Sequence, residues 1–297
     1  MEAVGAAAAA AYALHLFTDV FEPAVEGRLD PARYTPLTLV EREALTADTA
    51  RLRFRVGRPR RPGAAEQAAD AVVAQGAWAV DVKDHLVQTF RTYTPVGWEP
   101  GGPGGPGCID LVVKRYAGGS VSRFLHGTRV GDQVEVRGPI LTWPYAAGRY
   151  RRLFMVAGGT GAAPMVQLAE RILGDPADTA TRISLLYGAQ TPADLVFRGR
   201  LDALAARHAG RLDVAYVAER GAPAGQPLVQ AGRPDAASVG ALVRGFDAAT
   251  DAVLVCGPEP MMAAVCGVRP VGVGRGQGPL RGALRDLGVE PASVFKF

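Results

Sequence analysis

Cysteine is scarce in this chain of 297 residues. The three cysteines are Cys108, Cys256 and Cys266, which are too few and too unevenly spaced for a disulfide framework, a zinc site or a four-cysteine iron–sulfur cluster. The sequence therefore permits a reducing compartment, and it supplies no cysteine set for a metal centre.

The chain also lacks a strong charge of either sign. Its 33 Lys plus Arg residues stand against 29 Asp plus Glu residues, which gives a net charge of +4. Only residues 58–61 (RPRR) are locally basic, and no aromatic residues are interleaved with them, so nucleic acid is not expected as a partner. The 48% of hydrophobic residues and 21% of charged residues are typical of globular proteins, so disorder is not expected either.

A long hydrophobic segment is absent as well. Residues 3–17 (AVGAAAAAAYALHLF) are apolar but shorter than the ~20 residues that a membrane-spanning helix needs. No Lys or Arg precedes Arg28, so the segment has neither the basic start of a secretory signal nor the arginines of a mitochondrial presequence. Two interpretations stay open, an Ala-rich surface helix and the remnant of a membrane anchor. Residues 1–33 are interpreted as this segment followed by a proline-containing linker.

What the chain does contain is two successive hydrophobic patterns. In the first, apolar and charged residues alternate, as in residues 52–56 (LRFRV), which places the apolar side chains on one face of a β-strand. Several such strands predict a small antiparallel barrel or sandwich over residues 34–149. An Ala-rich stretch within residues 57–76 is compatible with a short helix, and residues 99–107 with a flexible loop. The runs predicted as strands are residues 37–45, 50–56, 78–84, 86–94, 109–116 and 133–140.

The second pattern covers residues 150–297. Nearly continuous apolar strands alternate there with helices, which is typical of a parallel sheet covered on both faces. The predicted fold class is therefore an antiparallel β domain followed by a parallel-sheet α/β domain. The runs predicted as strands are residues 152–157, 183–189, 212–217 and 252–257, and those predicted as helices are residues 163–173, 193–208 and 236–243.

Residues 156–165 (VAGGTGAAPM) join the first parallel strand to the first helix. Such a junction directs free backbone N–H groups and the positive end of a helix dipole at one point, which suits a phosphate-bearing cofactor. The usual Rossmann fingerprint is not matched, because Pro164 stands where its last glycine is expected and no acidic residue ends the next strand. Taken alone, the turn is as compatible with a structural role as with nucleotide binding.

Three further clusters combine residue types that suit a bound nucleotide. Residues 91–95 (RTYTP) offer a cation, an aromatic ring and a hydroxyl, and residues 118–125 (GGSVSRFL) offer glycines, hydroxyls and helix-start N–H groups. Residues 255–262 (VCGPEPMM) end the last clear parallel strand, where open α/β sheets bind ligands. Each cluster also has a structural interpretation, namely an exposed strand charge with a core aromatic, a helix cap and a packed strand cysteine.

In this order, and with this change of fold class between them, the four clusters resemble those of the ferredoxin reductase superfamily. They are most similar to those of NADH–cytochrome b5 reductases and related fungal-type flavin oxidoreductases. The resemblance covers residues 34–297. It implies an FAD-binding β barrel followed by a nicotinamide-nucleotide domain, with the flavin and nicotinamide rings meeting where the two domains join.

The resemblance also implies roles for individual residues. Thr94, Thr160 and Cys256 are implied at the reacting atoms, with Thr94 close to the flavin N5. Arg91 is implied to pair with the FAD diphosphate and Tyr93 to pack along the flavin. Further implied FAD contacts are Val113, Lys114 and Tyr116 on the ribose and adenine side, and Gly119, Val121 and Ser122 at the diphosphate. The implied nicotinamide-nucleotide contacts are Gly158, Gly159, Thr160, Gly161 and Pro164 in the turn, and Cys256, Gly257, Pro258 and Met261 beside the nicotinamide.

Two positions depart from the family pattern. Thr92 stands where many reductases have a proline, which changes local stiffness, and Ser120 stands where many have a lysine that helps to hold NADH. The chain keeps an aromatic residue, Phe297, at its end.

The implied activity is hydride transfer from NADH to FAD, followed by transfer of single electrons to a haem protein such as cytochrome b5. NADH is preferred over NADPH because residues 187–191 carry no arginine to pair with a 2′-phosphate, and Arg198 is the residue most able to reverse this preference. The alternatives are a non-catalytic binding or assembly module, an NADPH-dependent reductase of another acceptor, and an oxygenase reductase, which the missing iron–sulfur cysteines disfavour. An intracellular location is expected, with mitochondrial or endoplasmic-reticulum membrane association through residues 3–17 left open.

Overall fold

The computed structural model describes most of the chain after residue 26. The described residues are 27–57, 64–84, 88–99, 107–221, 229–270 and 276–297. The predictions made for residues 3–17 and for residues 58–61 lie outside them. So does most of the loop predicted over residues 99–107, whose end residues Glu99 and Gly107 belong to strands.

The first half folds into a seven-stranded sheet in the order β4-β3-β7-β1-β2-β6-β5, with antiparallel neighbours throughout. Its strands are β1 (Thr35–Ala44), β2 (Thr49–Val56), β3 (Gly76–Asp84), β4 (Thr89–Tyr93), β5 (Gly97–Glu99), β6 (Gly107–Lys114) and β7 (Gln133–Pro144). Two helices accompany the sheet, α1 (Ala64–Gln75) and α2 (Ser120–Gly127). The predicted alternation of buried and exposed side chains is confirmed in β2, where Leu52 and Phe54 are fully buried and Arg55 is exposed.

The first sheet differs from the sequence prediction mainly at its edges. Strand β7 continues four residues beyond the predicted end, because Trp143 and Pro144 pair with Ala77 and Gly76 of β3. Within the described residues, strand β4 begins at Thr89 and ends one residue before its predicted end, and the three-residue strand β5 carries too few residues to show a pattern.

The second half contains a six-stranded parallel sheet in the order β11-β10-β9-β8-β12-β13, which confirms the predicted fold class. Its strands are β8 (Arg152–Gly158), β9 (Arg182–Ala189), β10 (Leu212–Ala218), β11 (Val229–Ala231), β12 (Asp251–Cys256) and β13 (Val294–Lys296). Its helices are α3 (Ala163–Gly174), α4 (Arg198–Arg207), α5 (Ala236–Leu242), α6 (Glu259–Val265) and α7 (Gly282–Asp286). None of the helices in the described parts of the chain combines the length and the apolar composition needed to cross a membrane.

The helix predicted over residues 193–208 is wrong in its first part. Thr191 and Asp194 form a capping box around a single 3-10 turn, Pro192–Asp194, and the α-helix begins only at Arg198. The short strands β11 and β13 were missed, because each has only three residues and shows no hydrophobic period.

The two sheets are held together by a shared hydrophobic core and by several polar contacts between the two halves. Ala77, Val96 and Trp143 of the first half pack in one cluster with residues of β8, α3 and β9. The Gln167 side chain of α3 bonds the backbone of Trp78 and Pro95, and Tyr145 donates a hydrogen bond of 2.7 Å to Asp178. The α/β half therefore sits against β3 and the segment that follows β4.

Candidate functional site

A cavity of about 360 Å³ opens where the two halves meet. Thr49, Lys114 and Tyr116 form the wall from the antiparallel half. The remaining wall comes from the carboxyl-end loops of the parallel strands, which is where open α/β sheets bind their ligands. Those wall residues are Gly158, Gly159, Thr160, Gly188, Ala189, Gln190, Asp194, Val196, Glu219, Arg233, Pro234, Pro258, Pro260, Met261 and Ala264.

The glycine turn after β8 forms the centre of this wall. A Cβ atom at Gly158 would lie 2.8 Å from Pro258 Cδ and from Met261 Sδ, so a larger side chain has no room there. Gly159 adopts the left-handed region at φ 54° and has open space in front of it. The 3-10 turn Gly159–Ala162 then leads directly into α3, whose first turn contains Pro164. The turn therefore presents bare backbone and helix-start N–H groups to the cavity, which is the cradle that a diphosphate needs.

The predicted residues after β12 pack closely against this turn. A Cβ atom at Gly161 would lie 2.6 Å from the Cys256 carbonyl oxygen, so this glycine lets the two loops touch. Pro258 and Met261 line the cavity, whereas Cys256 is half-buried and packs against the core of the parallel sheet. Burial raises the pKa of the Cys256 thiol to about 12, so the side chain is uncharged at neutral pH.

Lys114 is the cation that the antiparallel half contributes to the cavity wall. Its Nζ lies 2.7 Å from Asp48 Oδ2 and 3.6 Å from Asp194 Oδ1, so it connects the two halves. Burial opposes the charge, but the hydrogen bond from Lys114 to Asp48 prevails and the pKa of Lys114 is raised. From the sequence, Lys114 and Tyr116 were expected beside the ribose and adenine of FAD. In the structure, both residues also line the same cavity as the glycine turn.

Arg91, Tyr93 and Thr94 lie on and just after the edge strand β4. Arg91 is exposed, and its guanidinium donates a local hydrogen bond of 2.8 Å to the Phe90 carbonyl. The Tyr93 ring packs against the core of the sheet, where burial raises its pKa to about 12. Thr94 is half-buried and precedes Pro95, the residue bonded to Gln167 of α3. This arrangement leaves the guanidinium available to an anion and fixes the backbone next to Thr94.

Two side-chain hydroxyls at the start of α2 have partners within the protein. Ser122 Oγ lies 3.3 Å from both the Gly119 carbonyl oxygen and the Tyr116 amide nitrogen, and Ser120 donates a hydrogen bond of 2.8 Å to Asp84. A Cβ atom at Gly119 would collide with Ser122 Oγ, which explains the glycine. An anion at this end of α2 would therefore meet backbone N–H groups rather than the hydroxyls that the sequence suggested.

Val113 and Val121 offer almost no side-chain surface to a ligand. Both side chains are almost fully buried, at 0% and 1% exposure, and they belong to the core of the first half. A ligand at these positions would contact their backbone alone.

A contact of the Thr92 side chain explains why this position carries threonine where many reductases have a proline. Its hydroxyl donates a hydrogen bond of 2.7 Å to Asp81, and Arg137 donates another of 2.7 Å to the second carboxylate oxygen. Asp81 is only 4% exposed, so both bonds are needed to satisfy a buried charge. A proline at position 92 would leave one oxygen of Asp81 without this partner.

The far end of the cavity contains two charged residues that the sequence did not indicate. Glu219 follows β10, Arg233 follows β11, and Arg233 Nη2 lies 2.9 Å from Glu219 Oε2. Arg198, the arginine named from the sequence, instead packs over the Tyr216 ring and pairs with Asp202 at 3.5 Å. Arg233 was not indicated by the sequence, because it follows β11 and this three-residue strand is too short to be recognised from a sequence pattern.

Comparison with known proteins connects both halves to established families. The family model of the oxidoreductase FAD-binding domain matches residues 36–145, and that of the oxidoreductase NAD-binding domain matches residues 155–267. The chain is 30% identical to NADH-cytochrome b5 reductase 2 of Mycosarcoma maydis, over 94% of this chain and 77% of that protein. It is 34% identical to NADH-cytochrome b5 reductase 2 of Scheffersomyces stipitis, over 70% of this chain and 66% of that protein.

A solved structure gives the same result at the level of the fold. The cytochrome b5 reductase domain of Ulva prolifera nitrate reductase superposes with a TM-score of 0.69 and is 26% identical. The match covers 91% of this chain and 99% of that domain.

Proposed function

This chain belongs to the family of FAD- and NAD-binding oxidoreductases that includes the NADH-cytochrome b5 reductases, and we propose that it passes electrons from NADH through FAD to a haem protein such as cytochrome b5. The observation that carries the proposal is the cavity in which Lys114 and Tyr116 of the antiparallel half face the turn Gly158–Thr160 of the parallel half. A dinucleotide lying along that turn has one of its ends directed at the antiparallel half.

The residues present suit FAD on the antiparallel half. Arg91 offers an exposed guanidinium for the diphosphate, Tyr93 an aromatic edge fixed by its packing, and the start of α2 a set of unpaired N–H groups. FAD, when bound, would supply the redox chemistry, which is acceptance of a hydride and release of single electrons. The protein then has to align the two rings and exclude water, and we assign this role to Thr94, Thr160 and the half-buried, uncharged Cys256.

The first experiment asks whether the chain carries and reduces a flavin. The protein is purified, incubated with FAD and desalted, and its absorbance is recorded before and after anaerobic addition of NADH. We expect a flavin band that NADH bleaches. A protein that retains no flavin would instead support a non-catalytic binding or assembly module.

The second experiment identifies the acceptor. Reduced protein is mixed with cytochrome b5 and, in parallel, with an uncharged quinone as a small acceptor without a docking surface or a net charge. If basic side chains steer an acidic cytochrome, added salt slows its reduction steeply and leaves the rate of quinone reduction nearly unchanged. Equal salt dependence for both acceptors would count against a cytochrome partner.

Association with a membrane through residues 3–17 is the finer part of the proposal. It is tested by comparing the full chain with a variant that lacks residues 1–26 in co-sedimentation with phospholipid vesicles. We expect the full chain alone to sediment with the vesicles, and equal behaviour of both proteins would reject the anchor.

A further inference from the structure

Lys114 is the one cation that the antiparallel half contributes to the described part of the cavity wall. It ends strand β6 and pairs across the strands with Thr49, the first residue of β2. The turn before β2 therefore lies beside the lysine side chain. Asp48, a residue of that turn, is its main partner, because Lys114 Nζ lies 2.8 Å from Asp48 Oδ1 and 2.7 Å from Asp48 Oδ2.

The carboxylate of Asp48 is held in place by its own turn. The hydroxyls of Thr46 and Thr49 each donate a hydrogen bond of 3.0 Å to Asp48 Oδ1. The Asp48 backbone carbonyl accepts another hydrogen bond, of 2.6 Å, from the Arg115 amide. Burial by itself would raise the pKa of this carboxyl, but the hydrogen bonds from Lys114 and the two threonines lower it. Asp48 is thus a fixed, charged acceptor that restricts where the ammonium group of Lys114 can lie.

Asp194 of the parallel half is a weaker partner of the same ammonium group. Its Oδ1 lies 3.6 Å from Lys114 Nζ, which is an ion pair beyond hydrogen-bond distance. Its other oxygen, Oδ2, accepts hydrogen bonds from the Thr191 amide at 3.1 Å and the Thr191 hydroxyl at 2.7 Å. Asp194 keeps both of these hydrogen bonds when Lys114 turns away, so its contact with Lys114 can be exchanged for another at little cost.

Lys114 therefore lies between a strong partner in its own half and a weak partner across the cavity that the turn Gly158–Thr160 lines. A diphosphate attracts an ammonium group more strongly than a carboxylate 3.6 Å away does, because it carries more negative charge and can approach to hydrogen-bond distance. We propose that Asp48 is a positioning residue that directs Lys114 into the cavity, and that Asp194 competes with the diphosphate of a bound dinucleotide for Lys114. Both roles rest on the proposed function. They add two carboxylates to the site, one that supports binding and one that opposes it.

The test compares the wild-type protein, loaded with FAD, with Asp48→Asn, Asp194→Asn, Lys114→Gln and the double variant Lys114→Gln/Asp194→Asn. Asparagine keeps the size and one acceptor oxygen of aspartate and removes its charge. Asp213→Asn, at an exposed position of β10, is the matched control. Calorimetric titration gives the Kd of two probes, ADP, which carries a diphosphate, and adenosine, which carries none. The ratio of the two Kd values isolates the contribution of the diphosphate.

The two single substitutions of aspartate should act in opposite directions, although each removes one negative charge. Asp194→Asn should tighten ADP binding about threefold to fivefold, because Lys114 loses its competing partner. Asp48→Asn should weaken ADP binding by a similar factor, because the ammonium group is no longer directed into the cavity. In the Lys114→Gln background, Asp194→Asn should have no further effect. The Kd of adenosine should stay at the wild-type value throughout, and Asp213→Asn should resemble the wild type for both probes.

Tighter ADP binding in both Asp48→Asn and Asp194→Asn would overturn the inference, because loss of negative charge alone would then explain the result. An equal effect of Asp194→Asn with and without Lys114 would also overturn it, since it would show simple repulsion of the diphosphate. Thr46→Val removes one hydrogen bond to Asp48 without changing any charge, should weaken ADP binding about twofold, and decides the role of Asp48 if Asp48→Asn does not fold. If NADH does not reduce the bound flavin while these shifts in Kd are found, the proposed function fails and the roles of the two aspartates stand.

Discussion

The side-chain nitrogen Nε2 of Gln167 donates a hydrogen bond of 2.8 Å to the backbone carbonyl of Pro95. The same side chain accepts a hydrogen bond of 2.8 Å from the Trp78 amide. Gln167 lies seven positions after Thr160 on the helix that leaves the glycine turn, and Pro95 follows Thr94. One side chain thus connects the two segments on which the alignment of flavin and nicotinamide is expected to depend.

Replacing Gln167 with Met should therefore impair both stability and electron transfer. The variant leaves the buried Trp78 amide without its partner, which costs about 1–3 kcal/mol in the free energy of unfolding. Because small misplacements of reacting groups slow reactions strongly, we expect flavin reduction by NADH to slow at least severalfold while FAD affinity stays unchanged. Stopped-flow absorbance and urea unfolding measure the two effects. Gln75→Met, at an exposed position of α1, is the control, and an unaltered reduction rate in Gln167→Met would refute this connection.

Arg91 and Thr94 should separate cofactor retention from hydride transfer. Arg91 is exposed and bonds only its neighbours Thr89 and Phe90 within the described residues, so Arg91→Ala should leave the melting temperature of the FAD-free protein unchanged. The same variant should weaken FAD binding about tenfold or more. Thr94→Val should have the reverse effect. NADH should reduce the flavin more slowly than in the wild type, while FAD binds with the wild-type affinity. Fluorescence titration gives the affinity, and Arg55→Ala, an exposed arginine of the same sheet, shows the effect of charge alone. Equal FAD affinity in Arg91→Ala and the wild type would contradict the diphosphate role.

These assignments show what the sequence predicts well and where it fails. Leu52 and Phe54 alternate with charged residues, and residues 156–165 join a strand to a helix, so local patterns were enough for the fold class and for the glycine turn. Glu219 and Arg233 lie 14 positions apart, and only the parallel register of β10 and β11 brings them together. Such long-range pairing leaves no trace in a single sequence.

The serines of α2 illustrate a second reason for failure. Ser120 and Ser122 fit a phosphate site by type, but Asp84 and the Tyr116 amide, which the sequence cannot place beside them, occupy their hydroxyls. Side-chain type therefore supports the hypothesis of a phosphate site, but only the structure shows which partners the two hydroxyls already have.

Asp178 should make the junction of the two halves sensitive to acid. Burial alone would raise the pKa of this carboxyl, but hydrogen bonds from Thr181, Tyr145 and Gly148 outweigh it and lower the pKa to about 2. Because the folded-state pKa lies below the ordinary 3.8, the stabilisation is complete above about pH 4 and is lost as the pH falls towards 2. It amounts to about 2 kcal/mol.

We expect Asp178→Asn to lower the free energy of unfolding at pH 7 and to flatten its decrease between about pH 4 and 2. Urea unfolding at several pH values provides the measurement, with the exposed Asp213→Asn as the control. A variant that keeps the wild-type acid dependence would show that another group is responsible.

Cys256 should act through its shape and not through its ionisation. Burial raises the pKa of the thiol to about 12, so between roughly pH 6 and 9 it stays protonated and cannot serve as a base. We expect Cys256→Ser, which keeps the size, to reduce flavin at nearly the wild-type rate and Cys256→Ala to be severalfold slower, because the smaller side chain loses packing against the core of the parallel sheet. Cys266→Ala, a buried cysteine of the same half, controls for general destabilisation.

The pH profile of flavin reduction separates the two roles for Cys256. A shape role predicts that the stopped-flow rate has no step that depends on Cys256 across this pH range. Thr160→Val, which removes a hydroxyl from the cavity wall, should slow the reaction at every pH. An acid–base role predicts a step near the ordinary thiol pKa that disappears in both Cys256 variants. Finding that step would mean that the bound nucleotide changes the surroundings of Cys256 enough to ionise it, because the buried site by itself holds the proton too tightly.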